Sequence, residues 1–282
     1  MNTETFRLLL SILVFAFGAS IASFLNVVIY RVPRGESIVS PPSHCPKCGK
    51  PIRWYCNLPI VSWIFLRGRC LDCKSPISPR YLFVELLGGA LFLATFSVYA
   101  GFFARGEVHL LAVLSVVESW IWISLLIVGS FIDFDHKLLP DFVTVGGMVL
   151  GVLTSAILAS VFGSAAPVLY SLAGLAKGLG LMWLIRFLGT KAFKREAMGF
   201  GDVLLMGAVG AISGPVMVIL VLILSALLGS IVGLTLIAFN KARLGKFVEI
   251  PYGPYIAISA IIAFFYGAQI INWYLALIGV EL

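Results

Sequence analysis

The chain has 282 residues, of which 60% are hydrophobic and only 12% charged, and its mean hydropathy is +1.05. A typical soluble domain has about half apolar and a quarter charged residues, and a chain this apolar cannot bury its side chains in a water-soluble core. The composition therefore excludes a soluble enzyme, a disordered tail and a secreted disulfide-rich mini-protein. It predicts an all-α polytopic membrane protein.

A membrane-spanning helix needs roughly 20 apolar residues, and the sequence contains eight candidate runs. The sixth run is short, and Gly214-Pro215 separates it from the seventh. The first run is too long for the apolar region of a signal peptide, so we expect a retained helix. The sequence therefore predicts about eight transmembrane helices. They are expected at residues 7–30, 81–104, 110–132, 141–163, 167–189, 199–213, 215–239 and 254–278.

The distribution of basic residues predicts the orientation of these spans. If the N-terminus lies outside, the inner loops and helix ends hold 17 of the 20 Lys and Arg residues, among them Lys241, Arg243 and Lys246. Basic residues concentrate on the cytoplasmic side of membrane proteins, so both termini are expected outside. The net charge of +7 then requires no nucleic acid, because basic inner loops lie beside the anionic headgroups of the lipid bilayer.

One polar insert, at about residues 31–80, contains all five cysteines. Four of them form two C-x-x-C pairs, Cys45 with Cys48 and Cys70 with Cys73, and 21 residues separate the pairs. This spacing is typical of a four-thiolate Zn²⁺ site. The alternatives are two disulfides or plain reduced thiols, and the predicted cytoplasmic location disfavours disulfides.

A four-cysteine site leaves no open coordination position, so the expected zinc is structural, with one ion per chain. The insert has few aliphatic residues, and metal binding is expected to supply its folding energy. Cys56 is left over and is expected to be a free thiol at the membrane surface. The predicted domains are a first transmembrane helix at 1–30, the zinc-knuckle insert at 31–80 and a seven-helix membrane domain at 81–282.

Two aspartates stand out because ionisable groups next to apolar spans are costly and usually functional. Asp133 ends the third predicted span, and Asp202 opens the sixth within a G-x-G-D sequence at 199–202. Topological counting places both at the inner membrane boundary. Two adjacent carboxylates share a proton, so one can activate water while the other polarises a carbonyl. The alternative is a structural or ion-conducting pair.

We expect the other ionisable residues near the spans to have structural rather than catalytic roles. Asp141 follows a proline and precedes an apolar run, so we expect it to be the N-cap of the fourth span. Asp135 and His136 are expected to lie in water on a loop. Glu85 begins the second span, where a carboxylate suits the positive end of the helix dipole.

These features together resemble the type IV prepilin peptidases, which are bifunctional leader peptidases and N-methyltransferases. Their order and spacing extend over essentially the whole chain, which makes the ensemble much more specific than G-x-G-D alone. The matching segments are residues 23–33, the two C-x-x-C pairs, 57–63, 67–70, Arg80-Tyr81, Val84-Glu85, Asp133 with Asp141, 199–202 and 251–255.

The resemblance implies roles that the residues alone do not establish. Asp133 and Asp202 match the family's catalytic aspartates. The implied reaction is cleavage of a prepilin or pseudopilin leader after a glycine, at the cytoplasmic face of the bacterial inner membrane. The new N-terminal residue is then methylated with S-adenosylmethionine as the donor, and no residue of the chain is assigned to binding it. Leu204, Cys56 and Ala22 depart from the family pattern.

Two other functions compete with the peptidase. One is a transporter or channel in which buried carboxylates relay protons or ions, with Glu118 and Lys177 inside the spans. The other is a zinc-dependent membrane scaffold without catalysis. The peptidase is favoured because Asp133 and Asp202 are predicted at one membrane face, whereas a relay needs titratable groups at successive depths across the bilayer.

Overall fold

A computed structural model describes residues 3–104, 110–196, 198–239 and 250–279, and in these ranges the chain is helical without a β-strand. Lys241, Arg243 and Lys246 lie outside the described residues. Seven described helices are long and apolar enough to span a membrane, which confirms the predicted fold class. They are α1 (Thr3–Arg31), α3 (Pro79–Ala104), α4 (Leu110–His136), α5 (Asp141–Phe162), α6 (Ala166–Phe193), α7 (Phe200–Ala238) and α8 (Gly253–Leu277), and α2 (Val61–Phe65) is a short helix.

Helix α7 contains two helical segments. Its 39 residues would extend about 58 Å as one straight helix, roughly twice the thickness of the hydrocarbon layer. Gly214 interrupts it with φ 81° and ψ 174°, and Pro215 follows. The ring of Tyr170 lies against Gly214, where any side chain would overlap it. The break occurs where the sequence separates the sixth and seventh spans. The described residues therefore contain seven spanning helices, or eight when the two segments of α7 are counted separately.

The chain divides into two compact units, an N-terminal unit (Met1–Val128) and a C-terminal unit (Gly129–Leu282), and α4 runs through the boundary. In the N-terminal unit, α1 packs closely on α3. A methyl group on Gly18 would lie 2.6 Å from Phe92 Cβ, so glycine permits the approach. Trp120 stacks on Phe92 with ring centroids 5.0 Å apart and donates to its carbonyl oxygen at 3.1 Å.

In the C-terminal unit, α6 and α7 form the most extensive helix pair. A side chain on Gly174 would overlap the carbonyl of Gly210, and one on Gly151 of α5 would lie 2.6 Å from the Ala211 carbonyl carbon. The buried Ser171 hydroxyl donates to the Ala211 carbonyl at 2.7 Å. Small residues and interhelical hydrogen bonds are the usual means of helix association in lipid. They hold the first segment of α7 firmly between α5 and α6.

Candidate active site and cysteine cluster

Asp133 lies near the end of α4 and is only 6% exposed. Its Oδ2 accepts a hydrogen bond from the backbone N–H of Gly253 at 2.9 Å. Gly253 is the first residue of α8, and the first N–H groups of a helix have no partner within the helix. The Asp133 carboxylate therefore occupies the positive end of the α8 dipole, which favours negative charge there.

Asp202 lies in the first turn of α7 and is 7% exposed. Its carboxylate interacts with the backbone of Gly199, the N-cap residue of the same helix. Its Oδ1 is buried and accepts no hydrogen bond from the described residues. The charge of Asp133 acts directly on Asp202. The structure thus brings together two carboxylates that are far apart in sequence. The Asp133 carboxylate lies at the N-terminus of α8, and the Asp202 carboxylate lies at the N-terminus of α7.

Leu139, on the loop between α4 and α5, packs among three glycines around these carboxylates. A methyl group on Gly201 would lie 2.9 Å from Leu139 Cβ, and methyl groups on Gly129 and Gly253 would lie 3.4 and 3.3 Å from its Cδ2. The methyl group on Gly253 would also lie 2.8 Å from Asp133 Oδ2. Glycine at these positions therefore allows α4, α7 and α8 to pack closely against Leu139, next to Asp133.

Tyr252 precedes α8 and lies near the same carboxylates. Its hydroxyl is 2.8 Å from the Ser225 hydroxyl. Burial raises the pKa of Tyr252, the negative charge of Asp202 raises it further, and the hydrogen bond with Ser225 opposes the shift. Tyr252 is therefore a neutral phenol at physiological pH, and its hydroxyl group can donate a hydrogen bond.

Two predictions about other carboxylates are wrong. Asp141 is not the N-cap of its helix: Pro140 holds that position, and Asp141 is the first helical residue. Glu85 does not lie at a helix N-terminus, because α3 already begins at Pro79. Glu85 is instead 8% exposed and accepts a hydrogen bond from the Ile60 N–H at 2.7 Å. The predicted span begins at residue 81 and α3 begins at Pro79, so Glu85 lies beyond the first turn of the helix.

The remaining candidates differ in their exposure to solvent. Asp135 and His136 are exposed, as expected, but they belong to the last turn of α4 rather than to a loop. Glu118 and Lys177 are half-buried on α4 and α6. Cys56 belongs to a short 3₁₀ helix, Trp54–Asn57, and is not part of the group formed by the other cysteines.

The four C-x-x-C sulfurs form a cluster in the N-terminal unit, here called the cysteine cluster. The Sγ atoms of Cys45, Cys48, Cys70 and Cys73 all lie within 4.8 Å of one another. The Cys45 and Cys73 sulfurs are 3.8 Å apart. Tetrahedral Zn²⁺ with Zn–S bonds of about 2.3 Å places its sulfurs about 3.8 Å apart. The donor set and the spacing therefore fit zinc.

The two C-x-x-C pairs of the cysteine cluster lie in two turns of the same type. In the first, Cys45 N donates to the Lys50 carbonyl at 2.9 Å and Gly49 N to the Cys45 carbonyl at 2.8 Å. The second repeats this pattern at Cys70, with bonds of 2.9 and 3.1 Å. Gly49 has φ 69°, as a tight turn requires, and Lys74 adopts φ 58° at the equivalent position. A glycine in the sequence thus marks the first of these turns, whereas a lysine occupies the same position in the second.

The electrostatics of the cysteine cluster favour a cation. Backbone N–H groups of Cys48 and Lys47 lower the pKa of Cys45 to about 6. The pKa of Cys48 rises to about 11, although the Lys50 backbone lowers it, because burial and the Cys45 and Cys73 sulfurs disfavour a further negative charge. The sulfurs therefore cannot all ionise unaided at neutral pH. A divalent metal ion stabilises such thiolates together.

The two halves of the chain match two known protein families. Residues 16–99 match the bacterial peptidase A24 N-terminal domain, and residues 120–234 match the type IV leader peptidase family. No solved structure matches the chain.

Similar curated proteins carry the name prepilin leader peptidase/N-methyltransferase. The protein of Myxococcus xanthus is 38% identical over 83% of this chain and 65% of its own length. That of Aeromonas hydrophila is 37% identical over 93% of both chains. That of Pseudomonas aeruginosa is 33% identical over 93% of this chain and 92% of its own. This chain therefore belongs to the type IV leader peptidase family.

Proposed function

We propose that this protein is an intramembrane aspartyl endopeptidase that removes the leader of type IV prepilins and pseudopilins after a glycine. It then N-methylates the new N-terminal residue with S-adenosylmethionine. The observation that carries the proposal is the pair of buried, electrostatically interacting carboxylates, Asp133 and Asp202, at the ends of membrane-length helices. The names of the relatives supply the substrate class and the second activity.

Asp133 and Asp202 act as the catalytic pair. Two carboxylates whose charges act on each other share one proton, because the ionised form of one disfavours ionisation of the other. The charged member takes a proton from water as it attacks the scissile carbonyl, and the protonated member donates to the carbonyl oxygen. The Gly253 N–H fixes the orientation of Asp133. The chemistry needs no serine, cysteine or metal.

A prepilin places its scissile bond where this pair is expected to lie. Its basic leader remains in water and its apolar helix in lipid, so the bond lies at the membrane boundary. Both aspartates are near the ends of apolar helices, which avoids moving a polar leader into hydrocarbon. A glycine before the bond lets the substrate backbone adopt the extended form that exposes its carbonyl.

The cysteine cluster binds one structural Zn²⁺ per chain, through Cys45, Cys48, Cys70 and Cys73. Four thiolates complete its coordination, so the metal stabilises the insert and takes no part in cleavage. The salt bridge between Lys50 and Asp72, 3.2 Å long, joins the two turns of the cluster. S-adenosylmethionine is the methyl donor.

The protein lies in the bacterial inner membrane with both termini outside and the zinc insert in the cytoplasm. The distribution of basic residues supports this orientation, and lipid headgroups, rather than nucleic acid, balance the positive charge. The membership in the leader peptidase family favours this function over a transporter, a channel or a scaffold.

The experiment that tests the proposal uses the full-length protein in detergent with a purified prepilin and S-adenosylmethionine. Mass spectrometry of the intact product follows. We expect a chain shortened after its glycine, and then a further mass increase of one methyl group in place of hydrogen. A prepilin that keeps its full mass contradicts the peptidase, and a shortened product without the increase contradicts the methyl transfer.

A further inference from the structure

The N-terminal unit contains a cavity of ≈ 460 Å³, and all of its lining residues belong to that unit. One wall is a face of α1 that includes Phe24 and Arg31, and the other walls come from the segment 38–43, without Ser40, and from residues 57–59. Small-molecule sites typically have volumes of about 300–1,000 Å³ and combine apolar walls with a few polar groups. This cavity has the size and the composition of such a site.

The polar side of the cavity is formed by Arg31, which is only 6% exposed. Its guanidinium group donates to the carbonyl oxygens of Ser37 and Pro41, both at 2.8 Å. These two bonds use two of the five N–H donors of an arginine. Arg31 can therefore hold the cavity wall in place and also offer donors to a carboxylate in the cavity.

The apolar side of the cavity is formed by Phe24, with Val27 one helical turn away. Phe24 is 49% exposed, and such a ring provides a surface on which a purine base can stack. Asn57, Ser20 and Ser23 also line the cavity and provide neutral hydrogen-bonding groups. Within one cavity, the chain thus combines a surface for an aromatic base, neutral polar groups and a buried cation.

We propose that this cavity binds S-adenosylmethionine, with the adenine against Phe24 and the carboxylate of the methionine part at Arg31. The inference rests on the proposed methyl transfer and assigns it a site. S-adenosylmethionine supplies its methyl group to a neutral amine: the C–S bond breaks, the N–C bond forms, sulfur keeps the electron pair and the amine proton passes to water. An anionic lipid headgroup has no aromatic base, and the stacking surface of Phe24 therefore favours the nucleoside.

The cavity is also coupled to the cysteine cluster. Its wall at residues 38–43 leads directly into the first cysteine turn, and the Ser43 carbonyl accepts a hydrogen bond from Ile52 N at 2.8 Å across that turn. On the opposite wall, Glu85 of α3 holds Ile60, next to Pro59, through its backbone N–H. A structural metal that fixes the turn therefore also fixes the cavity.

The test measures binding of S-adenosylhomocysteine to the purified full-length protein by isothermal titration calorimetry, with cleavage of a prepilin as the check on folding. Phe24→Ala removes the stacking surface, and Val39→Trp fills the cavity from a residue that is 85% exposed. We expect each variant to bind at least about tenfold more weakly than the wild type, a typical cost of losing one base–aromatic stack. Both should cleave prepilin normally.

Phe6→Ala is the matched control. Phe6 is 51% exposed and lies 18 residues from Phe24 on α1, which places it on the same helix face about 27 Å away. Its variant should bind as the wild type does. Unchanged binding of S-adenosylhomocysteine by Phe24→Ala and Val39→Trp overturns the site while leaving the methyltransferase intact. The same conclusion follows if these variants lose a bound lipid rather than S-adenosylhomocysteine. A wild type that cleaves but binds no S-adenosylhomocysteine overturns the proposed methyl transfer itself.

Discussion

The two candidate sites of this protein, the aspartate pair and the cysteine cluster, are built in different ways. In the C-terminal unit, the aspartates are held by long helices that pack through glycines, and the Gly253–Asp133 bond joins residues 120 positions apart. In the N-terminal unit, the cysteine cluster is held by short turns without a regular strand among its described residues. The first and the last of its four cysteines, Cys45 and Cys73, are only 28 residues apart in the sequence.

This contrast indicates that helix packing fixes the geometry of the aspartate pair, whereas we expect the insert to need the proposed metal to fix its turns. A close-packed helix interface changes little when one polar contact is removed. A turn-rich insert with few buried side chains loses most of its stabilisation with its metal. Some substitutions should therefore affect cleavage alone, and others should affect the insert and the methyl transfer.

The largest effect is expected for the aspartate pair. Asp133→Asn and Asp202→Asn keep the shape of the side chain but cannot hold the negative charge that activates water. The cleavage rate should fall by roughly 10²–10⁴-fold, the usual contribution of a catalytic acid or base. Asp141→Asn is the matched control, because Asp141 is exposed at the start of α5. Rapid cleavage by either of the first two variants at normal expression contradicts the catalytic role.

A smaller loss is expected for Gly253→Ala. The new methyl group would lie 2.8 Å from Asp133 Oδ2 and displace the carboxylate, although alanine itself favours a helix. Misplacement of a catalytic group by about 1 Å costs about 100-fold in rate. Cleavage assays should show that loss, while binding of S-adenosylhomocysteine stays unchanged. Gly146→Ala on α5 is a control, because a methyl group there meets no atom within 4 Å.

Substitutions in the cysteine cluster should have the opposite effect: they should impair methyl transfer more than cleavage. Cys45→Ser removes one of the four proposed ligands and should lower the zinc content below one ion per chain, measured by elemental analysis. Methyl transfer should decrease more than cleavage, since the loosened turn adjoins the cavity. Cys56→Ser, which changes the same residue type outside the cluster, should keep its zinc. Zinc loss in Cys56→Ser, or a wild type without metal, argues against the assignment.

The smallest effect is expected for Leu139→Ala. The leucine packs among Gly129, Gly201 and Gly253 but is only half-buried. Its truncation should lower the free energy of unfolding by about 1–3 kcal/mol, less than in a fully buried core, with a decrease in cleavage smaller than that of Gly253→Ala. Leu138→Ala is the control, because Leu138 is 53% exposed. Equal melting temperatures of the two variants in detergent show that the packing around Asp133 is unimportant.

Sequence patterns predicted the elements of the protein and missed the contacts between them. Apolar runs predicted the spanning helices and the break at Gly214, and cysteine spacing predicted the sulfur cluster. Counting of membrane crossings predicted that Asp133 and Asp202 face the same side, and the structure brings them within reach of each other's charge.

The missed features depend on tertiary packing. The P-Y-G-P-Y segment at 251–255 was visible as a motif, but only the fold reveals that Gly253 donates to Asp133. The same holds for the three glycines around Leu139 and for the bond between Glu85 and Ile60. Such contacts join residues from distant parts of the sequence, and neither periodicity nor local spacing carries information about them.

The most direct test of the central claim follows both reactions with one variant. Asp202→Asn is given an intact prepilin in one reaction and a pilin already cut after its glycine in another, each with S-adenosylmethionine. Mass spectrometry should find the intact prepilin unchanged and the cut pilin heavier by one methyl group in place of hydrogen. A shortened prepilin in the first reaction would contradict the account, because cleavage would then proceed without one of its two carboxylates.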